Sequence, residues 1–136
     1  LNITEALFEW GLHRLTSLSR LVVSGGCQHL VSFPEKKLPA DSLTNLTIER
    51  FPNLEALSSE GFRSLTSLEQ LRIEECGKLT SIPENGLPFS LLKLYIYKCE
   101  KLTSFPENGL PPSLQQLSIN RCPLLTLQGT FPFDEN

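Results

Sequence analysis

Along Leu68-Glu-Gln-Leu71-Arg-Ile73-Glu-Glu-Cys76-Gly-Lys-Leu79-Thr-Ser-Ile82-Pro83, apolar residues recur after gaps of three, two, three, three and three. Neither the 3.6-residue period of a helix nor the plain alternation of a strand produces that spacing. The pattern returns as Leu91, Leu94, Ile96, Cys99, Leu102, Phe105 and as Leu43, Leu46, Ile48, Phe51, Leu54, Leu57. A fourth copy runs Leu114, Leu117, Ile119, Cys122, Leu125 and then breaks at Gln128. The copy beginning at Leu18 keeps Leu21 and Val23, then takes one extra residue at Ser24-Gly25-Gly26 before Cys27, Leu30 and Phe33. Glycine tolerates the dihedrals of such a bulge. A motif of this kind, repeated every 23 to 25 residues, predicts a solenoid with one short strand per turn, each turn burying its leucines against its neighbours.

The period and the motif predict an α/β leucine-rich repeat solenoid, an arc with a parallel β-sheet on its concave face. Irregular and 3₁₀ segments are expected on the convex side, because proline and glycine interrupt Pro34–Pro39, Pro83–Pro88 and Pro106–Pro112. The longer connection over 58–67 leaves room for one helical turn with Phe62 and Leu65 turned inward. The whole chain reads as a single repeat domain. It has a partial repeat over 1–17, repeats over 18–42, 43–67, 68–90 and 91–113, and a degenerate terminal repeat over 114–136. Trp10 falls in the partial repeat and reads as a half-buried convex residue. In the tail, Phe131 or Phe133 is expected either to fold over Leu125 as a partial cap or to stay disordered.

Alternation on the strands places Arg20, Val22 and Ser24 on the open face, followed by Asn45, Thr47, Glu49 and then Gln70, Arg72, Glu74. Lys93, Tyr95, Tyr97 and Gln116, Ser118, Asn120 complete it. The framework positions hold constant from copy to copy while these positions vary, so a partner would be read here. The candidate protein-binding residues are Arg72, Lys93, Tyr95 and Tyr97, with Glu69, Glu74, Arg50 and Lys98 beside them. Tyrosine and arginine are the side chains that most often dominate protein interfaces.

Composition narrows the chemistry. The net charge of −3 and pI near 5.4 leave no footprint for nucleic acid or an anionic membrane. No apolar run suffices to span a bilayer, and no methionine is present, so the chain reads as a piece of a longer polypeptide. Cys27, Cys76, Cys99 and Cys122 share one repeat position, which Phe51 fills in the Leu43 copy. One cysteine per turn does not converge on a metal, and one repeated column is unlike a disulfide framework. These are expected to be buried thiols in a reducing, cytoplasmic compartment.

The chain carries no phosphate-binding glycine loop, and its only histidines, His13 and His29, fall on outer positions of different repeats. Glu35, Glu84 and Glu107 form a repeated row after proline instead of a convergent acid pair. No catalytic, cofactor or metal site is expected, and the chain is read as a non-enzyme. The sequons at Asn2 and Asn45 are short enough to arise by chance in such repeats.

Two motifs carry a more specific resemblance. Gly109-Leu-Pro-Pro-Ser-Leu114-Gln-Gln-Leu117-Ser-Ile119-Asn-Arg-Cys122-Pro and Cys99-Glu-Lys-Leu102-Thr-Ser-Phe105-Pro-Glu resemble the C-terminal leucine-rich repeats of plant intracellular nucleotide-binding disease-resistance proteins of the coiled-coil class. The resemblance covers residues 1 to 125. It implies a recognition module that senses pathogen effectors, or host proteins altered by them, and helps hold a nucleotide-binding switch off. Any ADP or ATP would bind an upstream domain outside this chain, and partners would be an effector, a host protein or that domain. A substrate-recruiting arm of an intracellular ubiquitin ligase is the first alternative. The second, an extracellular receptor ectodomain, should show disulfide-paired caps and an L-x-G-x-[IL]-P stretch, and neither is present.

Overall fold

The computed structural model describes residues 19–24, 32–33, 42–57, 62, 65–82, 87–103, 110–125 and 129–132. Five strands of five residues each, β1 (Arg20–Ser24), β3 (Asn45–Glu49), β5 (Gln70–Glu74), β6 (Lys93–Tyr97) and β7 (Gln116–Asn120), line up in parallel in that order. Their register is the one the repeats demand, with Leu21, Leu46, Leu71, Leu94 and Leu117 side by side. Val23, Ile48, Ile73, Ile96 and Ile119 form the second inward row. Every member of both rows is buried, so the paired apolar positions of each strand all face one continuous core.

Local hydrogen bonds explain why each repeat enters its strand in the same way. Leu68, Leu91 and Leu114 donate their N–H groups to Leu65, Pro88 and Pro111 at 3.3, 3.2 and 3.1 Å, closing one tight turn before each strand. Proline is accepted at the first place of that turn because the turn uses only its carbonyl, and Pro88 and Pro111 are as buried as Leu65. The serine ahead of each leading leucine ties neighbouring repeats together. Ser90 Oγ donates to the Leu68 carbonyl at 2.6 Å, and Ser113 Oγ to that of Leu91 at 2.7 Å.

After β3, β5, β6 and β7 the backbone turns through a left-handed residue: Arg50, Glu75, Lys98 and Arg121, at φ 59°, 53°, 55° and 59°. The N–H groups of Arg50, Glu75 and Lys98 donate to the last strand residue of the following repeat, Glu74, Tyr97 and Asn120, at 3.0, 2.8 and 2.9 Å. A non-glycine residue there costs about 1–2 kcal/mol, offset by that bond and by the burial of the next side chain. That side chain is Phe51, Cys76, Cys99 or Cys122, all fully buried, and the three cysteines are free thiols, as the repeated column required. Cys27 lies outside the described residues.

The opposite side of the core carries a second small parallel sheet, β2 (Ser32–Phe33) with β4 (Ala56–Leu57). Its direction is continued by backbone bonds from Thr80 to Glu55 and from Thr103 to Thr80, at 3.4 and 3.0 Å. The proline-interrupted stretches for which 3₁₀ turns were expected lie largely outside the described residues, and the connections that are described are turns, bends and this narrow sheet. Phe62 is helical, and both Phe62 and Leu65 are fully buried as their spacing predicted.

Part of the tail forms a strand that the repeat pattern did not foresee. Gly129–Pro132 forms β8, which pairs antiparallel with β7 in the register Leu117↔Phe131 and Ile119↔Gly129. It therefore adds an edge strand to the sheet. Phe133 and Trp10 lie outside the described residues. The architecture is a mostly parallel six-stranded sheet with little helix, compatible with a solenoid-like repeat.

Candidate functional site

The outward positions of β5, β6 and β7 bring the candidate residues into one patch. Arg72 and Tyr95 are register partners on adjacent strands, and the Arg72 guanidinium lies 4.7 Å from the centre of the Tyr95 ring. Stacking of a guanidinium on an aromatic face is favourable by roughly 0.5–1 kcal/mol at exposed sites. Arg72 also approaches Glu74 on its own strand at 3.8 Å, so a single cation serves a ring and a carboxylate together. On the other side of Tyr95 stands Ser118, buried, whose hydroxyl accepts from Asn120 Nδ2 at 3.3 Å.

Tyr97 receives a cation from an unexpected source. Arg121, in the left-handed turn after β7, places its guanidinium 5.7 Å from the Tyr97 ring centre. Strand alternation ends at Asn120 and gave no reason to include Arg121. A usable signal did exist: its repeat position holds Gly25 in the Leu18 copy, and glycine marks a position suited to positive φ. Arg50 and Lys98 occupy this same turn position, at the rim of the strands and not on them. Arg50 Nε reaches Glu75 Oε2 at 3.3 Å, an ion pair too exposed to add more than about 1 kcal/mol. Glu69 is exposed just ahead of β5, and its backbone carbonyl accepts the N–H groups of Leu92 and Lys93. Lys93 opens β6 in an exposed position.

The carboxylates concentrate on β3 and β5. Glu49 and Glu74 are register partners, and burial raises the Glu74 carboxyl above its ordinary value. Arg72 pulls it back down, while the charge of Glu49 and a hydrogen bond to it push it up again. Asn45 is likewise engaged, its Nδ2 donating to Gln70 Oε1 at 3.4 Å. Among the described residues no group of His, Cys, Asp and Glu is arranged to hold a metal ion. No helix among them is long and apolar enough to cross a membrane.

What this arrangement offers is a preordered surface: aromatic rings held by arginines, bordered by amides on one side and acids on the other. Comparison with known proteins gives one informative relative. Over 87 residues, 63% of the chain, the sequence is 41% identical to a protein of Arabidopsis thaliana provisionally named a disease resistance protein. The chain spans only 6% of that protein's length. No family model matches, and no solved structure matches. The similarity relates this chain to a stretch of that disease-resistance protein.

Proposed function

We propose that the chain is a leucine-rich repeat segment of an intracellular plant immune receptor of the nucleotide-binding, coiled-coil class. Its role is to read a pathogen effector, or a host protein altered by one, and to help restrain the receptor's nucleotide-binding switch. The observation that carries this reading is the patch of Arg72, Tyr95, Tyr97 and Arg121 on the open face of the sheet. Interfaces draw most of their energy from tyrosine and arginine, and side chains already held in place lose less entropy on binding. The role is binding and not catalysis, and nucleotide belongs to an upstream domain.

The test is a full-length receptor carrying Tyr95→Ala and Tyr97→Ala together, assayed for effector-triggered and for spontaneous activation. A recognition surface predicts loss of triggered activation, and an autoinhibitory contact predicts constitutive activity. Wild-type behaviour in both assays, with an unchanged fold, rejects this face as the reading surface.

A further inference from the structure

We infer that the occupant of this face is an acidic segment of a protein partner, seated across β6 and β7. The inference rests on the proposed reading of the face as a protein-recognition surface and adds the chemistry of what is recognised. Its basis is the way charge is divided between neighbouring strands. Glu49, Glu74 and Glu75 all stand on β3, β5 and the turn after β5, where Arg50 and Arg72 meet two of them at 3.3 and 3.8 Å. The cations of that half are thus already matched by carboxylates of this chain.

The other half is different. Lys93, Lys98 and Arg121 mark the two ends of β6 and the exit of β7, and the outward positions of both strands bear no carboxylate. Among the described residues no ion pair joins Lys93, Lys98 or Arg121 to a carboxylate. Between these cations stand Tyr95 and Tyr97, each with a guanidinium already near its ring. A carboxylate approaching this half meets three cations and two phenol groups, whereas a basic group meets repulsion.

The neighbouring acids set the limits. Strands lie about 4.8 Å apart, so the basic surface is only two strands, roughly 10 Å, wide. Beyond it an extended polyanion such as nucleic acid would run over Glu74 and Glu49 at less than a Debye length. A short run of aspartate or glutamate fits within that width, and the rest of the segment can present a basic residue to Glu49 and Glu74. The face therefore reads both composition and direction.

The experiment uses a set of dodecapeptides on one aromatic scaffold, with central residues acidic, amide or basic, and a DNA duplex as a long polyanion. Binding to the chain is followed by fluorescence anisotropy at low and high salt. The acidic set is expected to bind about tenfold more tightly than the amide set, with the preference shrinking in high salt. Lys93→Glu with Lys98→Glu should erase the preference while thermal unfolding stays unchanged, since both side chains are exposed. Equal binding of the three sets, preference for the basic set, DNA binding as tight as acidic peptide, or no binding by any set overturns the inference. Tyr95→Ala with Tyr97→Ala separates the two readings. If it abolishes recognition in the receptor while the charge variant leaves peptide preference intact, the recognition surface stands and the acidic partner falls. If the charge variant erases the preference but the tyrosine variant recognises normally, the acidic docking stands and the recognition reading falls.

Discussion

Cys76, Cys99 and Cys122 show how one repeat position can be satisfied by chemically different side chains. Phe51 fills it with a ring, while each thiol fills it with less bulk and donates to the carbonyl two residues back at 3.6 to 3.8 Å. The consequence is a pH dependence that phenylalanine would not bring. Burial pushes the Cys76 thiol up to about 11, against an ordinary value of 9.0. A raised value means that the folded state keeps a proton which the unfolded chain releases first. The stability from this residue is therefore complete below pH 9 and is lost as the pH climbs to about 11. The loss is on the order of 2–3 kcal/mol. Urea unfolding of the chain and of Cys76→Val between pH 8 and about 11 should show the wild type falling more steeply. Parallel slopes would mean that Cys76 is not protected from solvent. The next two cysteines are linked: the neighbouring Cys122 thiol, together with burial, raises Cys99, and the Cys99 thiol lowers Cys122. The sequence made the burial of this column legible because five repeats vote on one position, but the thiol–thiol contact depends on side-chain geometry that no spacing encodes. Arg121 was missed for a related reason. A left-handed turn redirects its side chain after the strand has ended, so the alternation rule stops one residue too soon.

At the scale of the element, the strands were the most legible part of the molecule. Two inward positions and three outward ones are enough to fix both the face and the register, since a slip by one residue would turn every leucine to solvent. Leu94 sits fully buried on β6 between β5 and β7, so Leu94→Ala removes packing on both sides and should cost roughly 2–5 kcal/mol. Because each repeat contacts chiefly its neighbours, hydrogen exchange should accelerate in β5, β6 and β7 before it does in β1. Uniform acceleration through the chain would indicate a single cooperative block instead of stacked units. β8 was not legible as a strand. It has no counterpart in the repeats, and its pairing with β7 depends on a partner several residues back along a reversed path. The small sheet of β2 and β4 was not legible, because two residues carry too short a pattern to declare a partner.

For the whole molecule, polarity along the stack is the property that single repeats do not reveal. Acids gather on β3 and β5 and unmatched bases on β6 and in the turns after β6 and β7, although the entire chain carries a net charge of only −3. Average composition concealed this division, and it became visible only when the strands were set side by side. The same stacking has a consequence for inheritance. The carbonyls of Ser19, Thr44, Glu69 and Leu92 each accept two N–H groups from the following repeat, at 2.8 to 3.1 Å. Every junction is therefore chemically alike, and a unit excised whole leaves behind a donor pair and an acceptor that already match. A chain lacking residues 91–113 should still unfold cooperatively, with a smaller denaturant slope because less surface is exposed. A broad, non-cooperative transition would show that the junctions are not equivalent. If they are, unequal crossing-over between repeats in the gene can lengthen or shorten the array without destroying its product. Each such event moves a block of outward side chains intact, so a lineage can exchange the chemistry of the open face in one step while leaving the scaffold untouched.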